Sequence, residues 1–259
     1  MERFLETAKK SALLAGEFLL QNLGKITPDK AEEKKLNDFV SYVDRGSEEM
    51  IRRTIKDEFP EHAFLGEEEG QRGENPFLWI VDPLDGTKNY LHQFPMFGIS
   101  IALKREDEVV LGLVYEPLRK DMFYAIKGKG AFRNGNRIHI VKELSHKRAL
   151  IATAFPFREK DKFPQFLEAF REIYYLVSDI RRGGVAALDL AYIGAGIFSA
   201  FYEYGLSIWD IAAGSLIVKE AGGVVLDFEG GEDYLTTGNI VAGEEKLVQK
   251  IVEILKKYF

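Results

Sequence analysis

The stretch Trp79-Ile80-Val81-Asp82-Pro83-Leu84-Asp85-Gly86-Thr87 joins two kinds of sequence. Phe77 to Val81 is an apolar run with the length and composition of a buried strand. It then breaks into carboxylate, proline, carboxylate, glycine and hydroxyl. Pro83 lacks a backbone donor and should stop the ladder. Gly86 permits a backbone conformation closed to other residues, or a close approach by a ligand. The expectation is a rigid strand that delivers two acids to a sheet edge, followed by a tight turn that fixes their relative position. Carboxylate oxygens and a backbone carbonyl suit a hard divalent cation such as Mg²⁺. The plainer alternative is a capped turn with solvated acids.

Composition bounds the rest. The chain has 259 residues, 46% hydrophobic and 29% charged, enough for a substantial core and too apolar for disorder. A net charge of −6 argues against a nucleic-acid-coating surface but not against anionic substrates, since metal ions can supply positive charge. With no cysteine, disulfides and thiolate chemistry are excluded. Met1-Glu2-Arg3-Phe4 opens no signal-like apolar core, and no apolar run is long enough to span a bilayer, so a cytoplasmic protein with no membrane partner is expected.

Along the chain, residues 1 to 22 read as an amphipathic helix ended by Gly24 and Pro28. Residues 28 to 38 read as a solvated loop or a lid. Phe39 to Val43 alternates as a strand ending at Asp44, and Ser47 then caps a helix that Pro60 stops. Ala63 to Gly66 is a short apolar run opening onto Glu67-Glu68-Glu69, either a solvated run or acids gathered at a strand end around a cation. Strands follow at 97–103, 109–116 and 122–126. Gly128-Lys129-Gly130 reads as a turn and Asn134-Gly135 as a hairpin turn. From about residue 148 strand and helix alternate: strands 149–154, 197–203, 224–227 and 239–242, and helices 163–173, 183–194, 207–221 and 244–258. The fold class expected is a layered αβαβα sandwich, α+β to α/β in character. It forms a single domain over 1–259, with an α+β half at 1–147 and an α/β half at 148–259.

Asp210, in the first turn of its helix, is either an ordinary helix-dipole acid or a third carboxylate arm on a metal. Glu203 closes a strand just ahead and can face the same cleft. The small residues Gly183-Gly184-Val185-Ala186-Ala187 suit either a phosphate at a helix N-terminus or close helix packing. The histidines, His62, His92, His139 and His146, lack metal-site spacing, and no Gly-x-Ser-x-Gly is present, which argues against zinc and serine-nucleophile chemistry. An Asp-x-Asp nucleophile and acid pair would stand two apart; here the acids stand three apart, which fits chelation better.

Asp82-Pro83-Leu84-Asp85-Gly86-Thr87, the upstream Gly66-Glu67-Glu68 and the downstream Trp209-Asp210-Ile211-Ala212-Ala213-Gly214 resemble the inositol monophosphatase family. So do Gly128-Lys129-Gly130-Ala131-Phe132-x-Asn134-Gly135 and Glu220-Ala221-Gly222-Gly223. The resemblance covers almost the whole chain and is more specific for the family than for the substrate. It implies a Mg²⁺-dependent, lithium-sensitive phosphatase of sugar and inositol phosphates, usually a homodimer. Carried over by position, it implies that Glu67, Asp82 and the Leu84 carbonyl hold one Mg²⁺, that Asp82, Asp85 and Asp210 hold a second, and that a looser third involves Glu67. Asp44 matches the acid that pairs with the Thr87 hydroxyl. Thr87 and Glu67 match the groups that position the attacking water. By the same resemblance Gly86 and Thr87 offer backbone N–H groups to the phosphate, Asp85 and Asp210 also count among the substrate-binding residues, and Val185, Ala186, Ala187 and Glu203 match positions facing the sugar or inositol hydroxyls.

Two features depart from that pattern. Lys34 and Lys35 lie one position off a family lysine, and Val185 lacks the hydroxyl some members carry there. Arg181-Arg182 would meet a second phosphate, as of fructose 1,6-bisphosphate, or form a solvated or dimer-interface patch. The resemblance favours an inositol-1-monophosphatase, with fructose-1,6-bisphosphatase activity as the alternative. From other classes, the alternatives are a regulatory binding protein retaining the fold and a Mg²⁺-dependent glycosyltransferase.

Overall fold

The structure is a computed structural model that describes residues 1–26, 32–35, 38–141 and 145–259. Three sheets are present among them. A ribbon pairs β1 (Glu32–Lys35) with β2 (Asp38–Val40) antiparallel. A large sheet holds β3 (Ala63–Gly66), β4 (Gly70–Arg72), β5 (Phe77–Asp85), β6 (Gly98–Arg105), β7 (Glu108–Glu116), β8 (Asp121–Ile126), β9 (Gly130–Arg133) and β10 (Asn136–Ile138), in the order β10-β9-β8-β7-β6-β5-β3-β4. A smaller one holds β11 (Leu150–Thr153), β12 (Asp179–Arg181), β13 (Ala200–Glu203), β14 (Val224–Leu226) and β15 (Ile240–Gly243), in the order β12-β11-β13-β15-β14. The helices are α1 (Glu2–Asn22), α2 (Tyr42–Glu58), α3 (Thr87–Leu91), α4 (Phe163–Leu176), α5 (Ala186–Gly194), α6 (Ile208–Glu220), α7 (Tyr234–Thr237) and α8 (Glu245–Leu255).

The two-residue period of the strands assembles these into layers. In β5, Trp79 and Val81 join the core beneath α1 and α2, while Ile80 between them faces the opposite core with α5 and α6. In the small sheet, Ala152, Phe201, Ile240 and Ala242 pack on the α5–α6 side, and Ile151, Tyr202 and Val241 pack against α4 and α8. The order is therefore helices, sheet, helices, sheet, helices: the αβαβα architecture expected from the sequence. Being covered on both sides, α5 and α6 are apolar almost all round. Their close approach depends on missing side chains: a Cβ on Gly112 of β7 would lie 2.5 Å from the Ala213 carbonyl oxygen of α6. Burying Trp79, Ile80 and Val81 completely fixes β5 as the central rod, each such side chain contributing about 1.5–3 kcal/mol.

Several boundaries differ from the sequence reading, each for a local reason. The ladder does not stop at Pro83. Asp82 pairs with Ser100 and Asp85 with Gly98, so three steps on β5 match two on β6 and a bulge absorbs the proline. The strand expected to run to Val43 ends at Val40, because Ser41 is a helix cap. Its side chain accepts the Val43 N–H at 3.2 Å, and the Asp44 carboxylate accepts the Ser41 N–H at 2.8 Å. Asp44 thus sits in the first turn of α2, and Ser47, read as the cap, lies inside the helix. Small-residue α5 begins at Ala186, after a loop in which Gly184 has φ +76°. Within 28–38, residues 32–35 and 38 are strand; residues 27–31 and 36–37, and the side chains of Lys34 and Lys35, lie outside the described residues. Asn134-Gly135 forms the β9–β10 turn with both φ positive, as a hairpin of this kind requires. Among the described residues no helix is long and apolar enough to cross a membrane.

Candidate active site

Asp82 and Asp85 stand three apart, which on a regular strand would point them to opposite faces. The bulge adds one residue, restores even parity, and brings both into one cleft. Beyond Asp85 the chain turns at Gly86, whose φ of +91° and tight setting require glycine: a Cβ there would stand 2.8 Å from Val185 Cγ2. Thr87 then opens α3. Its Oγ1 lies 3.0 Å from Asp44 Oδ1 and 3.1 Å from the Leu84 carbonyl oxygen.

The inner face of α2 braces this corner. Asp44, Ser47 and Glu48 recur at i, i+3 and i+4 and are all buried. Asp44 accepts from Thr87, Ser47 Oγ donates to the Pro83 carbonyl at 2.8 Å, and Glu48 reaches the turn after β3. Sequence reasoning assigned a role only to Asp44.

The second half of the chain closes the cleft. The Ala187 N–H, at the start of α5, donates to Asp85 Oδ2 at 2.7 Å. One of the helix N–H groups that the sequence suggested for phosphate therefore holds an aspartate instead. Ser207 and Asp210 form a reciprocal cap at the start of α6, the Ser207 N–H donating to Asp210 Oδ2 at 2.7 Å. Glu203 ends β13 and is buried.

The resulting cleft, about 690 Å³ with its open mouth, is lined by Glu67, Asp82, Leu84, Asp85, Gly86, Thr87, Ala186, Glu203 and Asp210 from the expected set. Asp44 lies behind Thr87. Val185 and Ala187 are fully buried beneath the wall rather than lining it. Sequence reasoning missed a rim formed by Lys88, Phe157 and Arg158, together with Asn89 and Leu206. Lys88 Nζ lies 4.3 Å and Arg158 Cζ 5.0 Å from the Phe157 ring centroid, and Arg158 Nη1 is 3.8 Å from Asp210 Oδ2. Arg182 lines the wall over Gly184; its neighbour Arg181 instead pairs with Asp179 at the surface. No local pattern marks Lys88 or the Phe157-Arg158 pair, since Lys88 meets that pair only through the tertiary fold.

Burial dominates the electrostatics. It pushes the Asp82 carboxyl well above the usual range, and the charges of Glu67, Asp85 and Asp210 push further. Asp85 is raised by burial and by Asp210, against the Ala187 hydrogen bond. Glu203 is raised by burial, then by Asp189, Asp210 and Asp85, with Arg182 opposing. Burial also raises Asp44, against hydrogen bonds from Ser41 and Thr87. Behind Glu203, Asp189 is buried with no hydrogen-bond partner on either carboxylate oxygen among the described residues, and its pKa is raised well above normal by that burial. Such mutual repulsion is what a divalent cation relieves, and carboxylate oxygens are its preferred donors. The donor set fits a hard cation. Among the described residues no three of these side chains already converge on one metal-sized point, each of Asp82, Asp85 and Asp210 having one oxygen engaged by a backbone N–H.

By comparison with known proteins, the class of this body and cleft is the phosphoric monoester hydrolases. The profile of the inositol monophosphatase family matches residues 1–258, and the chain belongs to that family, whose members are generally metal-dependent. Among its relatives, the fructose-1,6-bisphosphatase/inositol-1-monophosphatase of Aquifex aeolicus is 40% identical over 259 residues, spanning 100% of this chain and 97% of the relative. The Nus factor SuhB of Pseudomonas aeruginosa is 39% identical over 264 residues, with the same coverage of each chain. The extragenic suppressor protein suhB from Bartonella henselae superposes with a TM-score of 0.95 at 39% identity, covering 99% of this chain and 100% of that one. The inositol monophosphatase from Anabaena gives a TM-score of 0.88 at 32% identity, covering 100% and 97%.

Proposed function

We propose that the protein is a Mg²⁺-dependent phosphomonoesterase that hydrolyses inositol 1-phosphate. The observation that carries this reading is that Glu67, Asp82, Asp85 and Asp210 line one cleft beside the Thr87–Asp44 pair. Glu67, Asp82 and the Leu84 carbonyl would hold one ion, and Asp82, Asp85 and Asp210 a second, with a third near Glu67. Bound there, such ions polarise phosphate oxygens and lower the pKa of coordinated water. Because Thr87 Oγ1 gives its proton to Asp44, its lone pairs are left to accept a hydrogen bond from the attacking water, and Glu67 helps remove the proton. The first turn of α3 leaves its leading N–H groups without intrahelical acceptors, so Gly86 and Thr87 present donors to the phosphate. Ala186 and Glu203 face the ring hydroxyls, while Val185 and Ala187 shape that wall from behind.

A second activity, on fructose 1,6-bisphosphate, is favoured by the rim cations Lys88, Arg158 and Arg182, which could meet a second phosphate, and by the dual name of the Aquifex relative. The Nus-factor names of other relatives favour a binding role beside catalysis. The chain would act in the cytoplasm and as a homodimer, the dimer being supported by the exposed apolar side chains Phe163, Leu167, Tyr174 and Tyr175 along α4. Both halves of the chain would serve one catalytic body. The test is phosphate release from both substrates with and without Mg²⁺, and with Li⁺ added. Mg²⁺-dependent release that Li⁺ suppresses is expected. No release from either by folded, Mg²⁺-bound protein would overturn the reading.

A further inference from the structure

Glu67 is carried by the short turn that joins β3 to β4, between the paired residues Gly66 and Gly70. A turn of this kind, bearing Glu67, Glu68 and Glu69 in succession, has no apolar side chain to anchor it. On one side the Glu67 N–H donates to the Val81 carbonyl at 3.2 Å. On the other side stands Glu48, from the middle of α2 and 1% exposed. Its Oε2 accepts the Glu68 N–H at 2.8 Å and its Oε1 accepts the Glu69 N–H at 3.0 Å. The carboxylate lies so close over Gly66 that a Cβ there would be 2.3 Å from Glu48 Cδ.

Stability alone does not explain this choice. Burying a carboxylate is costly even when it is hydrogen-bonded, and an apolar side chain in such a place is often neutral or stabilising. What a bidentate anionic acceptor supplies, and an apolar residue or a single acceptor does not, is a fixed orientation for two successive backbone N–H groups. Resting on the reading of Glu67 as a cation-binding group, we propose that Glu48 is a positioning residue that sets the backbone of the Glu67–Glu69 turn and so aims the Glu67 carboxylate into the cleft. Supporting groups of this kind commonly govern about 10- to 100-fold of metal affinity.

The test compares the full-length wild type with Glu48→Gln and Gly66→Ala, and with Glu49→Gln as control. Glu49 is a half-exposed neighbour paired with Arg52. Mg²⁺ binding is measured by calorimetry, the melting temperature without metal by circular dichroism, and kcat, KM and the half-saturating Mg²⁺ concentration by phosphate release. Glu48→Gln should weaken Mg²⁺ binding by about 10- to 100-fold, raise half-saturating Mg²⁺ in step, and leave KM at saturating Mg²⁺ near the wild-type value. Gly66→Ala keeps the Glu48 charge but displaces its carboxylate, and should show the same weakening. Glu49→Gln should bind Mg²⁺ as the wild type does. Wild-type Mg²⁺ affinity in folded Glu48→Gln overturns the proposal, including when its melting temperature falls, because that marks a purely structural role. Should Glu48→Gln not fold, Gly66→Ala decides by the same criterion. If the wild type binds Mg²⁺ but hydrolyses neither substrate, the catalytic reading fails while the binding comparison still judges Glu48.

Discussion

Asp85 does two jobs with two oxygens. One holds the Ala187 N–H and so ties β5 to the start of α5; the other is left to the cleft. Asp85→Asn keeps the shape but removes the charge, so turnover should fall by more than about 100-fold while the fold survives. Near-normal kcat together with a wild-type circular dichroism spectrum would refute its role. Asp189 is the opposite case, a buried acid with no hydrogen-bond partner among the described residues and with Arg182 as an opposing charge. Its raised pKa means that its neutral form stabilises the fold below the ordinary carboxylate range and that this contribution is lost as pH rises through the raised value. Asp189→Asn should therefore raise the melting temperature of the metal-free protein, with a larger gain at pH 8 than at pH 5. Each kcal/mol recovered is worth about 2–4 °C at this size. An unchanged or lower melting temperature at pH 8 would show that Asp189 has a partner when folded in solution.

At the scale of elements, α2 is the brace of the site. Ser41→Ala deletes its cap and loosens Asp44, which grips Thr87. The expected cost is about 1 kcal/mol of stability together with a fall in kcat, read from paired melting curves and rate measurements. Loss of stability with kcat intact would separate the cap from the catalysis. The same helix shows where sequence reading stops. Phe39 to Val43 alternates well enough to read as strand, and the Ser41–Asp44 box that overrides it is a two-residue signal, three positions apart, that straddles the end of that alternation. Ser47 looked like the cap because acids follow it, yet its hydroxyl serves Pro83, 36 residues away. The carboxylates of the cleft were legible because each sits at the end of an apolar run or the start of a helix. Glu48, Phe157 and Arg158 were not, since their partners lie on other elements and no spacing announces them. Pro83 misled for a different reason. Its missing N–H does remove a bond, but a bulge tolerates that loss and the ladder resumes at Asp85.

For the whole molecule, the cleft behaves as a reservoir of unfavourable charge. Asp82, Asp85 and Glu203 have raised pKa values, so the stability of their neutral forms is present below about pH 4 and drains away as pH rises through those values. A bound cation reverses the loss. At one fixed Mg²⁺ concentration the gain in melting temperature should therefore be larger at pH 8 than at pH 5.5, and about 5–10 °C where that concentration is 100 times the dissociation constant. A gain that is equal or larger at pH 5.5 would show that Asp82 and Asp85 are not the ligands.

The middle helices α5 and α6 give both sheets their inner core, one side of each helix facing β5 to β8 and the other facing β11 to β15. Neither sheet owns that layer, so neither can melt and leave the other with a covered face. The chain should denature as one cooperative unit, with loss of activity and loss of helical signal coinciding on heating. A fragment ending near residue 147 would keep the eight strands of the large sheet and lose the helices that one of their faces rests on. It should aggregate rather than fold, and so should show no activity by itself.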